Sequence, residues 1–269
     1  MMIRLGFIGT GEMGFPMTKN LINAGYQLNV FDVIKEPLLR LEEMGAEVCD
    51  SPKAVAQLSE VIIIMVRTTE QAESVIIGES GVLEGTIPGS IIIIMSTIDP
   101  IVTRKLAKLV SKKGVDLVDA PISGARQGAE DGTLTIMVGG KEEAFNRVIP
   151  IFKVLGRNIY YLGESGMGEI GKLINNLLVL VNMVAVYEAK ALAMKSGVSM
   201  NVFDELIKVS TGNSWVFEHW DIVSSWKDNY REGGTLDILY KDINITLTLG
   251  ENLKVPLYLS SLAKQIGRY

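Results

Sequence analysis

Apolar residues follow two patterns along this chain, and the change comes near residue 163. Up to Leu162, short unbroken apolar runs alternate with segments whose apolar residues recur every three or four positions; beyond it only the second pattern persists. Ile3–Ile8, Tyr26–Phe31, Val61–Val66 and Ser90–Met95 read as strands, the last holding four consecutive isoleucines. Runs without polar alternation mark strands buried on both faces, hence a parallel sheet. Asp116–Asp119, Leu134–Val138 and Asn158–Tyr161 add further strands. Between them Phe15–Ala24, Pro37–Met44, Ser51–Leu58, Pro100–Lys112 and Lys141–Val154 carry helical spacing, with Ser51 placed to cap its helix. The alternation predicts an α/β domain over residues 1–163, built on a doubly wound, mostly parallel sheet.

Residues 164–269 read as an all-helical domain. It opens on the apolar stretch Ser165–Gly197, where Ser165 suits an N-cap and Gly197 a left-handed stop. At roughly 1.5 Å per residue this helix runs about 40 Å. It joins the two domains through a hinge at Gly163–Ser165. The helix is apolar nearly all round, which predicts other helices packed about it. Lys172, Asn175 and Asn176 share one face near its start, and polar groups on a buried helix call for a polar partner such as a substrate. Asn182, Glu188 and Lys190 interrupt the run, leaving it too short and too polar at its edges for a bilayer. Asn201–Val209, Tyr240–Leu249 and Pro256–Ile266 supply later helices. Trp215, Phe217, Trp220 and Trp226 gather around His219; a helix–helix or subunit contact accounts for them, a ligand cage being the alternative.

Composition narrows the class. With 269 residues, 48% hydrophobic and 21% charged, the chain is an ordinary soluble globular protein of one large or two modest domains. A net charge of −5 with no Lys/Arg cluster argues against nucleic acid. Cys49 is the one cysteine and His219 the one histidine, so a disulfide, a metal site and a Ser-His-Asp triad are all poorly supplied, and no metal is expected. Met1-Met2-Ile3-Arg4 leads straight into a strand and not into a secretory leader, which predicts a cytoplasmic protein with no membrane partner. The small apolar helical half predicts a homodimer or homotetramer.

The first apolar run is followed at once by Gly9-Thr10-Gly11-Glu12-Met13-Gly14, and then by a helix, a strand and Asp32. Strand, Gly-x-Gly-x-x-Gly, helix, strand and acid form the dinucleotide fingerprint of a Rossmann-type domain. Gly9 permits the tight turn, Gly11 lets backbone N–H groups reach the pyrophosphate, and Gly14 lets helix and strand pack closely, with the helix N-terminus facing the anion. Asp32 accepts from the adenine-ribose hydroxyls and repels a 2′-phosphate, so NAD is preferred to NADP, a preference that Lys35 tempers without reversing.

Ligands of such sheets sit beyond the carboxyl ends of the strands. Arg67-Thr68, Ser96-Thr97 and Ala120-Pro121-Ile122-Ser123-Gly124 follow three of them. Ser96-Thr97 serves either a ligand or the cap of the helix starting near Pro100. Ser123–Gly128 is either a surface turn or a cradle for a small carboxylate. A nicotinamide cofactor implies hydride transfer, and alcohol oxidation then needs a group to take the hydroxyl proton. Histidine being scarce, Lys172 is the candidate, a solvent-reaching helix lysine being the bland alternative.

These residues carry a resemblance. Gly-Phe-Ile-Gly-Thr-Gly-Glu-Met-Gly at 6–14, Met-Ser-Thr-Ile-Asp-Pro at 95–100, Asp-Ala-Pro-Ile-Ser-Gly at 119–124, Gly-Met-Gly-Glu-Ile-Gly-Lys-Leu-Ile-Asn-Asn at 166–176 and Lys-Asp at 241–242 stand in this order. In them the chain resembles the β-hydroxyacid dehydrogenase family, which includes 3-hydroxyisobutyrate dehydrogenase, tartronate semialdehyde reductase and, more distantly, 6-phosphogluconate dehydrogenase. The resemblance implies NAD-linked interconversion of a small 3-hydroxy acid and its semialdehyde. It implies Lys172 as the catalytic acid/base, with Asn176 and Asn175 orienting the substrate. Ser123 and Gly124, beside Ala125, are implied to bind the substrate, and Met65, Val66, Thr97 and Lys241 to line the nicotinamide end. Three features depart from the family pattern. Val66-Arg67 replaces the common Leu-Pro; Ala125 replaces a usual glycine and is followed by Arg126, which favours a second anionic group; and the chain stops at Tyr269, where relatives typically continue by one more helix. Two other readings remain. An imine or keto reductase of the same architecture typically lacks the lysine, and a non-catalytic dinucleotide-binding scaffold needs Asp32 and the glycines but not Lys172, Asn176 and Ser123 together.

Overall fold

A computed structural model describes residues 3–267, which form two compact units that divide between Lys172 and Leu173. The first unit runs β1 (Leu5–Ile8), α1 (Gly14–Asn23), β2 (Leu28–Phe31), α2 (Lys35–Glu43), β3 (Glu47–Val48), α3 (Pro52–Leu58), β4 (Val61–Ile64), α4 (Thr69–Ile77) and α5 (Val82–Gly85). It continues through β5 (Ile91–Ile94), α6 (Pro100–Ser111), β6 (Asp116–Asp119), β7 (Ile122–Ser123), α7 (Ala125–Asp131), β8 (Leu134–Gly139), α8 (Glu142–Leu155) and β9 (Gly156–Gly163). Strand order is β3-β2-β1-β4-β5-β6-β8-β7, with β9 on β8. The pairs from β3 to β6 are parallel, β8 runs antiparallel to β6 and β7, and β9 is parallel to β8. The doubly wound, mostly parallel sheet expected from the sequence is what forms.

The isoleucine runs explain this sheet. Alternate residues of β4 and β5 point into different cores: Val61, Ile63, Ile91 and Ile93 meet α1, α2 and α8 on one face. Ile62, Ile64, Ile92 and Ile94 meet α3, α4, α5 and α6 on the other. Every one of these eight is at most 2% exposed, and each contributes about 1.5–3 kcal/mol by leaving water. Some boundaries differ for local reasons. Tyr26 belongs to the helix stop before β2, because Gly25 adopts φ +89° and Tyr26 N–H returns to the Leu21 carbonyl. Ser51 does cap α3, accepting from Ala54 N–H. Residues 124–128, read as a turn or a ligand cradle, instead open α7.

The long helix α9 (Met167–Lys195) comes next. Gly197, at φ +79°, closes it as expected, with Val198 N–H returning to the Ala193 carbonyl. The break between compact units falls inside α9, after Lys172, nine residues beyond the 163/164 division read from the sequence. Helix α9 is not surrounded: Ile174, Leu178, Leu192 and Met194 are 53%, 55%, 70% and 63% exposed. It is also not too short for a bilayer, since by length and a mean hydropathy of 1.7 alone it would suffice to cross one. Its polar residues read as breaks in the sequence, whereas the helix runs through them. The second unit completes with α10 (Met200–Lys208), α11 (Trp215–Glu218), α12 (Trp220–Asp228), α13 (Thr235–Leu253) and α14 (Tyr258–Ile266). Phe217 and Val223 pack with Val186, Trp220 and Trp226 in a helix–helix cluster. Trp215 stacks on His219, whose Nδ1 lies 2.9 Å from the Trp215 carbonyl.

Candidate active site

The register of the sheet lines up its strand ends. Phe31 pairs with Ile8, Ile8 with Ile64, Ile64 with Ile94 and Ile94 with Asp119. The last residues of β2, β1, β4, β5 and β6 therefore stand in one row, about 19 Å long at the usual strand spacing. The residue after each of these strands emerges on the same edge: Asp32, Gly9, Met65, Met95 and Ala120. The strand order reverses between β1 and β4, which is where such sheets open a crevice.

Three glycines after β1 differ in what surrounds them. Gly9 has φ +93°, and a Cβ there would stand 2.2 Å from the Met65 carbonyl oxygen. A Cβ on Gly14 would come within 1.9 Å of the Gly9 oxygen. At Gly11, which is exposed, a Cβ would meet no protein atom within 4 Å, so the fold itself leaves open space beside this residue. No side chain caps α1, so the N–H groups of its first turn are left for water or a ligand. Glu12 is exposed and Met13 half-buried on the same turn. A pyrophosphate fits this donor set. Asp32 braces it: Oδ2 accepts from Thr10 N–H at 2.6 Å and Thr10 O–H at 3.2 Å, and Oδ1 accepts from Ile34 N–H at 2.9 Å. A carboxylate accepts about four hydrogen bonds, which leaves Asp32 capacity for a ribose hydroxyl.

After β4, Met65 and Val66 are half-buried, and Val66 N–H donates to Ser96 Oγ at 2.8 Å. Ser96 is thus a tie between two strand ends. The cap of α6 comes from Asp99, which accepts from Ile101 N–H at 2.7 Å. Thr97 is half-buried beside Ser96. After β6, Ser123 is half-buried, with Gly124 and Ala125 exposed. Gly124 has φ +133° and Ala125 φ +51°; the alanine holds a left-handed conformation that glycine adopts without strain. Arg126, read as a contact for a second anion, pairs with Glu130 at 2.7 Å, one turn along its own helix.

Helix α9 begins under the control of β6. Asp119, fully buried, accepts from Gly166 N–H at 2.7 Å through Oδ1 and from Glu169 N–H at 3.1 Å through Oδ2. Asp119, not Ser165, caps this helix; the Ser165 carbonyl accepts from Arg104 Nε instead. Burial pushes the Asp119 carboxyl above its ordinary value, while the Gly166 and Glu169 N–H bonds pull it back. Glu169 is also fully buried and its Oε2 accepts from Ile98 N–H at 3.0 Å. Lys172 is half-buried one turn further on.

In the second unit, Asn176 is buried, and its Nδ2 donates to Asp242 Oδ2 at 2.6 Å. Because a carboxylate only accepts, this bond fixes which way the Asn176 amide faces. Asn176 Oδ1 accepts from Asn175 Nδ2 at 3.1 Å, and Lys241 Nζ donates to the other oxygen of buried Asp242 at 2.6 Å. Asn175, Asn176 and Lys241 are thus brought together on Asp242. Sequence reasoning gave Asp119, Glu169 and Asp242 no task of their own. Asp119 and Glu169 stand 47 and 71 residues from Gly166 and Ile98, and no local spacing displays such partners.

Known proteins resemble this chain in sequence and in fold. Residues 4–163 match the family model described as the NAD binding domain of 6-phosphogluconate dehydrogenase. Residues 166–269 match the model described as NAD-binding of NADP-dependent 3-hydroxyisobutyrate dehydrogenase. Among curated relatives, 2-(hydroxymethyl)glutarate dehydrogenase of Eubacterium barkeri is 37% identical over 264 residues, covering 98% of this chain and 88% of the relative. Mitochondrial 3-hydroxyisobutyrate dehydrogenase of Mus musculus is 36% identical, with 98% and 81% covered. The solved Mycobacterium tuberculosis 3-hydroxyisobutyrate dehydrogenase with L-serine superposes with a TM-score of 0.90 at 29% identity, covering all of this chain and 93% of that one. An imine reductase from Myxococcus stipitatus shares the fold at a TM-score of 0.71 and 18% identity. With both domains matched in order over nearly the whole chain, the protein belongs to the β-hydroxyacid dehydrogenase family.

Proposed function

We propose that this dehydrogenase uses NAD to interconvert a small 3-hydroxy acid of the 3-hydroxyisobutyrate kind and its semialdehyde, with Lys172 as general acid/base. NAD would be held by the Gly9–Gly14 turn and Asp32, and would supply the hydride acceptor for alcohol oxidation and, reduced, the donor for the reverse reaction. The chain's part is to hold and to move protons. In the oxidative direction the Lys172 amine takes the hydroxyl proton as the hydride leaves, so the substrate loses two electrons and two hydrogens and one proton reaches solvent; reduction reverses each step. Ser123 and Gly124 hold the substrate carboxylate, and Asn176, aimed by Asp242, with Asn175 beside it, orients the substrate oxygens. Met65, Val66 and Thr97 line the nicotinamide end, with Lys241 as a further contact.

One observation carries the reading most: the glycine turn that follows β1 leaves the same row of strand ends as Asp119, the carboxylate that caps the helix of Lys172. Asp32 supports NAD over NADP, because a 2′-phosphate would face a carboxylate held in place by Thr10 and Ile34. The curated relatives named for hydroxy acids and for L-serine support the substrate class. Uncovered apolar residues on α9 support a homodimer or homotetramer, and the single thiol Cys49 supports a reducing, cytoplasmic setting. The test is a spectrophotometric screen of 3-hydroxyisobutyrate, 2-(hydroxymethyl)glutarate, glycerate, 3-hydroxypropionate, 4-hydroxybutyrate and L-serine with NAD and with NADP. Turnover on a 3-hydroxy acid with a higher kcat/KM for NAD is expected. Silence with all six, or an NADP preference, contradicts the corresponding part of the reading.

A further inference from the structure

Two fully buried carboxylates in the first unit, Asp119 and Glu169, have no place in the chemistry above. The geometry points to a positioning role for both: together they clamp the first turn of α9 to the strand-end row and so set where Lys172 stands relative to the Thr97 loop. This inference rests on Lys172 being the acid/base.

Three ties meet at that turn. Asp119 ends β6 and satisfies two N–H groups of the helix start, Gly166 and Glu169, with one oxygen each. Glu169 reaches the other way and accepts from Ile98 N–H, the residue after Thr97. Arg104 Nε, from α6, donates to the Ser165 carbonyl. The packing permits no slack: a Cβ on Gly168 would stand 2.3 Å from the Met137 oxygen and 2.9 Å from Asp119 Oδ2. A Cβ on Gly139 would stand 2.7 Å from the same Asp119 oxygen. Lys172 lies three residues beyond Glu169, about one turn and on the same side of the helix.

Stability alone does not account for these charges. Burying a carboxylate is costly, and apolar or amide side chains of similar volume serve a core as well or better. What a buried carboxylate adds is a short, stiff, charge-assisted bond to a backbone N–H, which fixes direction as well as distance. Geometry is where catalysis is most sensitive, since a misplacement of about 1 Å can cost on the order of a hundredfold in rate.

A double-mutant cycle on the full-length protein tests the role. Thermal unfolding, kcat and KM are measured for Glu169→Ala, Glu169→Gln, Lys172→Ala and the double variant Glu169→Ala/Lys172→Ala. Glu169→Ala is expected to lower kcat by about tenfold to a hundredfold while KM for NAD changes less than about threefold. Glu169→Gln, which keeps an acceptor for Ile98 N–H, is expected to recover most of that loss. In the Lys172→Ala background, Glu169→Ala is expected to cost less than about twofold more, because a residue that acts only by placing the lysine has nothing left to place. Multiplying losses, a loss confined to KM, or no recovery with glutamine overturns the inference. Full turnover by Lys172→Ala overturns the proposed function instead, and is read independently of Glu169. Should Glu169→Ala fail to fold, Asp119→Asn, which leaves one acceptor oxygen for two N–H groups, replaces it in the cycle with the same criteria.

Discussion

Strands β4 and β5 bury every side chain they have, whereas α9, also largely apolar in sequence, leaves Ile174, Leu178, Leu192 and Met194 more than half exposed. The sheet unit is complete in one chain. Its two faces carry separate cores, and its buried polar groups are paired across long stretches of sequence, as Asp119 is with Gly166 and Ser96 with Val66. Among the described residues the helical unit has small clusters, around Phe217 and around Ile243. Apolar surface left in this way is what association covers. On the function proposed above, the sheet unit holds the glycine turn and Lys172 within its own fold, while the helical unit leaves apolar surface uncovered within the chain.

The largest effect expected separates two glycines of the sheet unit. Gly14→Ala puts a Cβ 1.9 Å from the Gly9 oxygen, so a loss of about 3 kcal/mol or more is expected in chemical denaturation. Gly11→Ala meets no protein atom, so stability should change by less than about 0.5 kcal/mol while NAD affinity falls at least about tenfold by titration. Equal losses of stability at both positions would break the distinction between a glycine the fold needs and one the ligand needs.

A smaller effect probes the helical unit. Leu178→Asp and Leu192→Asp lie on one face of α9 and are already exposed within the chain, so neither should unfold the first unit. Each is expected to weaken self-association by about tenfold or more in analytical ultracentrifugation. Unchanged assembly would mean that this face stays in water. Smallest is the expectation for Cys49, just after β3. Burial, with Glu47 and Asp50 nearby, pushes its thiol up to about 11. At pH 8 its labelling by a disulfide reagent should run about ten- to a hundredfold slower than that of an unperturbed thiol, rising with pH as thiolate forms.

The same contrast governs how much the sequence displayed. Isoleucine runs, the glycine fingerprint with Asp32 and the long apolar helix announced themselves because each is a local pattern with one physical meaning. Helix α7 did not, because Gly124 just before it and Gly128 within it argue for a turn; the first carries φ +133°, and a Cβ on the second would crowd Leu134. The two-residue strands β3 and β7 are too short to show a period. Helix α4 was missed although Thr68 and Gln71 form a capping box at its start. At the candidate site, Lys172, Asn176 and the glycines could be nominated from the sequence alone. The residues that hold them, Asp119 for the lysine's helix and Asp242 for Asn176, were not, since their partners are remote in sequence. Hydropathy showed that α9 is apolar and could not show what covers it.

The central claim is most directly tested by the rate of NADH formation from the preferred 3-hydroxy acid in Lys172→Ala, with and without added methylamine. The account predicts a kcat lower by about a hundredfold to ten-thousandfold at unchanged NAD affinity, partly restored as the concentration of free methylamine rises. A variant that forms NADH at the native rate would contradict it.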